Sequence, residues 1–104
     1  MASIMFPTRA QIDGVERLIE RDQIHQLLVE AHPELKDRIE VDDANPMLTI
    51  PAWRGGAVIL WKGEHEGSIR WRMAAPGGGG VVVLEPNSIN EFPTLVAKRL
   101  GASA

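Results

Sequence analysis

The sequence predicts an α+β domain with N-terminal helices, a mostly antiparallel sheet of about four strands, and a C-terminal helix. Three observations predict it. Apolar residues recur at helical spacing as far as Leu35. Beyond Pro46 the pattern shifts to short runs rich in β-branched and aromatic residues, separated by glycine and proline. A last amphipathic stretch then runs into Gly101. At 104 residues, 44% hydrophobic and 24% charged, the chain reads as one globular domain over 1–104. Its helical part covers 8–40, its sheet 47–85 and its closing helix 88–100.

Thr8 and Gln11 have the spacing of a capping box, and Pro7 can pack on Ile12 as a staple. Ile12, Val15 and Ile19 follow at helical intervals. A second stripe, Ile24, Leu27, Leu28, Ala31 and Leu35, falls on nearly the opposite side of a continuous helix. Burying both stripes favours a break near Asp22, which would cap a second helix from Gln23. Pro33 suits the first position of a short helix to Ile39, with Glu34 and Arg38 at i,i+4 spacing. Asp42 to Pro46 is a turn by composition.

Met47–Ile50 reads as a strand stopped by Pro51, and Ala57–Lys62 as a second. Gly63–Gly67 reads as a hairpin loop with a glycine at each end. Ser68–Met73 alternates, with Ile69, Trp71 and Met73 on the core side and Arg70 and Arg72 on the other. Val81–Leu84 is a continuous apolar run, the pattern of a central strand covered on both sides. Ser88 or Asn90 can cap the last helix. Leu95, Val96 and Leu100 form its apolar face, with Lys98 and Arg99 near its end and Gly101 as its stop.

The formal net charge of −3 is unevenly spread. Residues 1–45 carry ten acids against five bases, and residues 46–104 carry six bases against four acids. Solvated helix faces account for such a pattern, and so do two oppositely charged surfaces that meet partners or further copies of the chain. With no cysteine, thiolate catalysis and cysteine-based zinc sites are excluded. Met1–Pro7 lacks the basic and apolar regions of a signal peptide. The longest apolar run, Ala57–Trp61, is far below the ~20 residues that span a bilayer. The expectation is a soluble, cytoplasmic protein without membrane contact.

Candidate catalytic and ligand-binding features are sparse. The run Gly77–Gly80 leads into a strand, whereas a phosphate-binding loop leads into a helix N-terminus with Lys, Ser or Thr close behind. His25 and His32 are about 10.5 Å apart along a helix, too far to share one zinc ion. His65 stands between Glu64 and Glu66 at a hairpin tip. Glu85 follows an apolar strand and is the best candidate for a carboxyl in a dry pocket. No serine lies in a G-x-S-x-G motif. No catalytic residue, metal ligand or cofactor is assigned.

The three tryptophans each have a basic neighbour, in Trp53-Arg54, Trp61-Lys62 and Arg70-Trp71-Arg72. Alternation turns Trp71 away from Arg70 and Arg72, so those three cannot form one flat surface. Trp61 depends on hairpin register: in one register it joins Trp71 in the core, and in the other it lies with Ile59 beside the arginines. The expected function is a small non-enzymatic protein-interaction domain, whether assembly component, inhibitor or homo-oligomeric adaptor. Its expected contact set is Trp53, Arg54, Trp61, Arg70 and Arg72. One alternative is RNA or single-stranded DNA binding by the same hairpin, against which the negative net charge counts. Another is a metal-dependent hydrolase built on His65 and Glu85 with Glu64 and Glu66.

Overall fold

The computed structural model describes residues 9–52, 55–77 and 79–102, without the side chains of 9–13, 65, 101 and 102. Helix α1 (Arg9–Ala31) and a 3₁₀ turn (Pro33–Leu35) precede five strands. These are β1 (Glu40–Val41), β2 (Met47–Pro51), β3 (Ala57–His65), β4 (Ser68–Gly77) and β5 (Gly80–Leu84). A 3₁₀ turn (Ile89–Glu91) leads into helix α2 (Phe92–Ala102). The strands form one sheet in chain order, every neighbouring pair antiparallel. The α+β class follows, with five strands where about four are expected.

Register explains the core. Leu48, Leu60, Met73 and Leu84 align across β2 to β5, and Ile50 pairs with Val58 as Ala75 does with Val82. With a side-chain period of two, all of these share one face. Ile24 and Leu28 from α1, Leu35, and Phe92, Val96 and Leu100 from α2 close over it into one hydrophobic cluster. The opposite face carries Met47, Thr49, Ile59, Trp61, Arg72, Ala74, Val81 and Val83. Among the described residues no helix covers it.

Helix α1 is continuous, so the expected break at Asp22 does not occur. That expectation assumed both apolar stripes must be buried. Of the second, Ile24, Leu28 and Leu35 are buried, Leu27 is half-buried and Ala31 is exposed, whereas Val15 and Ile19 of the first are 57% and 52% exposed. A Lys62–Glu20 ion pair of 2.6 Å ties the helix to β3 near Ile19. The Thr8–Gln11 box and the Pro7 staple fall on residues outside those described. Among the described residues Asp22 caps no helix and meets Arg21, at 3.0 Å. Asp22→Ala should therefore change stability by less than about 0.5 kcal/mol in urea unfolding, whereas loss of a true cap would cost about 1 kcal/mol.

The short helix predicted to Ile39 reduces to the 3₁₀ turn, with Pro33 in its first turn as expected. Arg38 donates to the Pro51 carbonyl, anchoring the turn to the end of β2. The chain then enters β1, a two-residue strand too short to leave a periodic signal. Asp42 organises the next turn, accepting from the backbone N–H groups of Ala44 and Asn45, both at 2.9 Å. These bonds, that of the Asn45 side chain and the charge of Arg21 hold the Asp42 carboxyl below its ordinary 3.8.

Three further strand expectations are corrected. β3 runs on to His65, so Gly63 and Glu64 are strand rather than loop. β4 continues through Ala74-Ala75-Pro76-Gly77, residues of low strand propensity carried by the pairing of their neighbours. β5 is the last strand of the sheet, not a central one. Val81 and Val83 are 72% and 55% exposed, because they stand on the uncovered face of this edge strand. At the C-terminus Ser88 is the cap and Glu91 completes a capping box. The helix passes through Gly101 to Ala102 instead of stopping before it. Phe92, unnoticed in the apolar face, is among its fully buried residues.

Candidate functional site

The candidate site is the uncovered sheet face around the β3–β4 hairpin. Its geometry starts at the turn. Glu66 and Gly67 have φ of 52° and 78°, the signature of a two-residue turn whose twist matches the flanking strands. Such a turn pairs His65 with Ser68, and that pairing fixes the rest: Gly63 faces Arg70 and Trp61 faces Arg72. Trp61 thus takes the second of the two registers the sequence allows. It lies on the open face, half-buried, flanked by Met47 on β2. Gly63 lies beside its ring: a Cβ there would stand 3.4 Å from Trp61 Cδ1, an ordinary contact.

Trp71, one strand away, points to the other face. It is buried and meets Phe92 edge-on, with ring centroids 6.3 Å apart at 79°. Met73 is buried with it, as expected, but Ile69 is 46% exposed. Ile69 lies on the half of β4 that extends past β5 toward the turn. There it borders an open groove with Glu16, Arg17 and Lys62.

The two arginines of the alternating stretch have different fates. Arg70 is exposed, as alternation predicts. Arg72 shares its face yet is only 3% exposed. Its Nε donates to Glu85 Oε1 at 2.6 Å and its Nη1 to the Gly63 carbonyl at 2.8 Å. A guanidinium can be taken out of water on these terms because charge and donors are both answered. Arg72, expected in the contact set, is a structural clamp joining β3, β4 and the end of β5. Trp61, Arg72, Val83 and Glu85 line a shallow concavity of about 550 Å³, with Glu64 at its rim.

Glu85 is therefore not in a dry pocket. Its side chain is 43% exposed and paired with a cation, unlike the apolar surroundings that make a carboxyl a general acid. The side chain of His65 lies outside those described, as do Trp53 and Arg54. His32 Nε2 donates to the Pro93 carbonyl at 2.9 Å, linking the end of α1 to α2. Among the described residues no group of three or more His, Asp or Glu could hold a metal ion. None of the described helices is long and apolar enough to cross a membrane. Gly77 stands opposite Gly80 where the β4–β5 ladder ends, and Gly78 of the glycine run lies outside the described residues.

Sequence reasoning missed Ile59, Val81 and Val83 as a group. Ile59 and Val83 both flank Ala74, so with Trp61 and Val81 they make the open face apolar from β3 to β5. The usable signal was the Glu66-Gly67 turn, which sets which residues share a face. No family model, no characterised protein and no solved structure matches this chain.

Proposed function

We propose that the chain is a non-enzymatic protein-interaction domain whose contact surface is the open face of the sheet, centred on Trp61. The observation that carries this reading is the one-sided covering of the sheet. Both helices pack on one face, while the other leaves Val81 and Val83 more than half exposed beside a half-buried tryptophan. Contiguous apolar surface on a monomer marks a contact site, and tryptophan is among the residues that anchor one. Arg70 supplies a charged rim; Arg72 serves from below by fixing the strands. Trp53 and Arg54 stay in the proposed set on sequence grounds. The cysteine-free composition supports a reducing, cytoplasmic setting.

Nucleic-acid binding by the same hairpin has less support, since the clamp withdraws one of the two arginines that would meet phosphates.

The test is site-specific photocrosslinking in cells. A photoreactive phenylalanine analogue at position 61 should give adducts of discrete mass, and the same probe at exposed Glu30 should not. Val83→Asp, on the same face, should abolish the adducts. Equal labelling from both positions, or adducts indifferent to Val83→Asp, would overturn the reading.

A further inference from the structure

We propose that β5 is a self-association edge: two copies of this chain pair β5 with β5, antiparallel about a two-fold axis through Val82, joining their sheets into one. This inference goes beyond the interaction reading above: it concerns the strand edge that borders the open face, and its partner is a second copy of the chain.

Hydrogen-bond parity leads to it. The β4–β5 ladder closes on Gly77 opposite Gly80. Residues flanking a two-residue connection exchange both backbone bonds, and the pattern repeats at every second pair. Gly80, Val82 and Leu84 therefore direct their N–H and C=O groups inward to β4. Those of Val81 and Val83 point outward, where no described strand receives them. With the axis at Val82, Val81 of one copy stands opposite Val83 of the other. Both are outward-bonding positions, so the two pairs make four backbone hydrogen bonds with no change of strand geometry. The same pairing sets the exposed Val81 and Val83 side chains against each other across the junction, on the open face.

The two edges of the sheet differ in the features that prevent such pairing. Natural edges are blunted by shortness, charge or proline. The β1 edge is two residues long and begins with Glu40. The β5 edge is five residues long, Gly80–Leu84, with neither charge nor proline. The nearest charge, Glu85, is tied to Arg72, so no like charges meet at the junction. A symmetric pairing uses β5 in both copies and leaves only the blunted β1 edges outside, so assembly closes at two.

An edge of five residues is smaller than a standard interface of roughly 1,600 Å², so the dimer should be weak and concentration-dependent. Light scattering with size-exclusion chromatography, from about 10 µM to about 1 mM, should show the mass rising from the 11.4 kDa of one chain to twice that. Val81→Pro removes an outward N–H that β4 does not use. It should hold the protein monomeric with its circular dichroism unchanged, since proline is tolerated on an edge strand. Val83→Lys should do the same by charge, which guards against a folding failure of the proline variant. A wild-type protein that stays monomeric to the highest concentration overturns the proposal. So do a dimer that survives both variants and growth beyond two copies. Crosslinking from position 61 to other proteins in a strictly monomeric chain would remove the β5 pairing alone; loss of both signals would remove the interaction reading with it.

Discussion

Phe92→Ala is expected to lower the folding free energy by about 3–5 kcal/mol, the usual cost of deleting a fully buried phenylalanine side chain. Phe92 is completely buried at the first position of α2, where its ring makes a T-shaped contact with Trp71 of β4. The substitution opens a cavity between helix and sheet, and β-sheet backbone on one side limits collapse into it. A domain of this size has a total stability of about 5–15 kcal/mol. The urea midpoint should therefore fall by about a fifth or more, and the melting temperature by more than about 10 °C. Leu95→Ala, at a position only partly buried, should cost clearly less. A loss below about 1 kcal/mol for Phe92→Ala would mean that α2 does not seal the core as described.

Removing the carboxylate of the β3–β4–β5 clamp is the second large effect. Glu85→Ala should cost about 2 kcal/mol, because it leaves the buried Arg72 guanidinium with carbonyls but no countercharge. The 43% exposure of Glu85 keeps the figure below that of a fully buried pair. Arg72→Met should cost less than Glu85→Ala. Methionine keeps the apolar stem in place, and the carboxylate left behind can be hydrated. Paired urea titrations of the two variants and their double mutant measure the order and the coupling. A larger loss for Arg72→Met would show that the arginine acts by packing and that its charge is incidental.

How far the sequence carried these conclusions varied by element, for identifiable reasons. Trp71 and Met73 were legible as core because strict alternation is a local signal, whereas Leu48 and Ile50 were legible only as strand. The buried half of α1 was legible through Ile24 and Leu28. Its continuity was not, because periodicity shows which residues share a face and says nothing about whether that face is covered. The same limit misplaced β5: four apolar residues in a row look alike at the centre of a sheet and at its rim, and only topology separates them. Ile69 keeps its alternation but lies past the end of the neighbouring strand. Arg72 was half legible. Its face followed from the pattern, but its burial depends on Glu85, 13 residues on, which reaches it only through the β4–β5 pairing. The apolar group of Ile59, Trp61, Val81 and Val83 on the open face needed the register of two hairpins at once.

That register is also the claim on which the functional reading turns, since a slip of one residue in the β3–β4 hairpin would send Trp61 into the core and empty the open face of its anchor. Nuclear Overhauser contacts between α-protons measure it directly, because facing residues without mutual hydrogen bonds bring their α-carbons to about 4.5 Å. The structure predicts strong contacts between Lys62 and Trp71 and between Leu60 and Met73. A strong α-proton contact between Trp61 and Trp71 would contradict it.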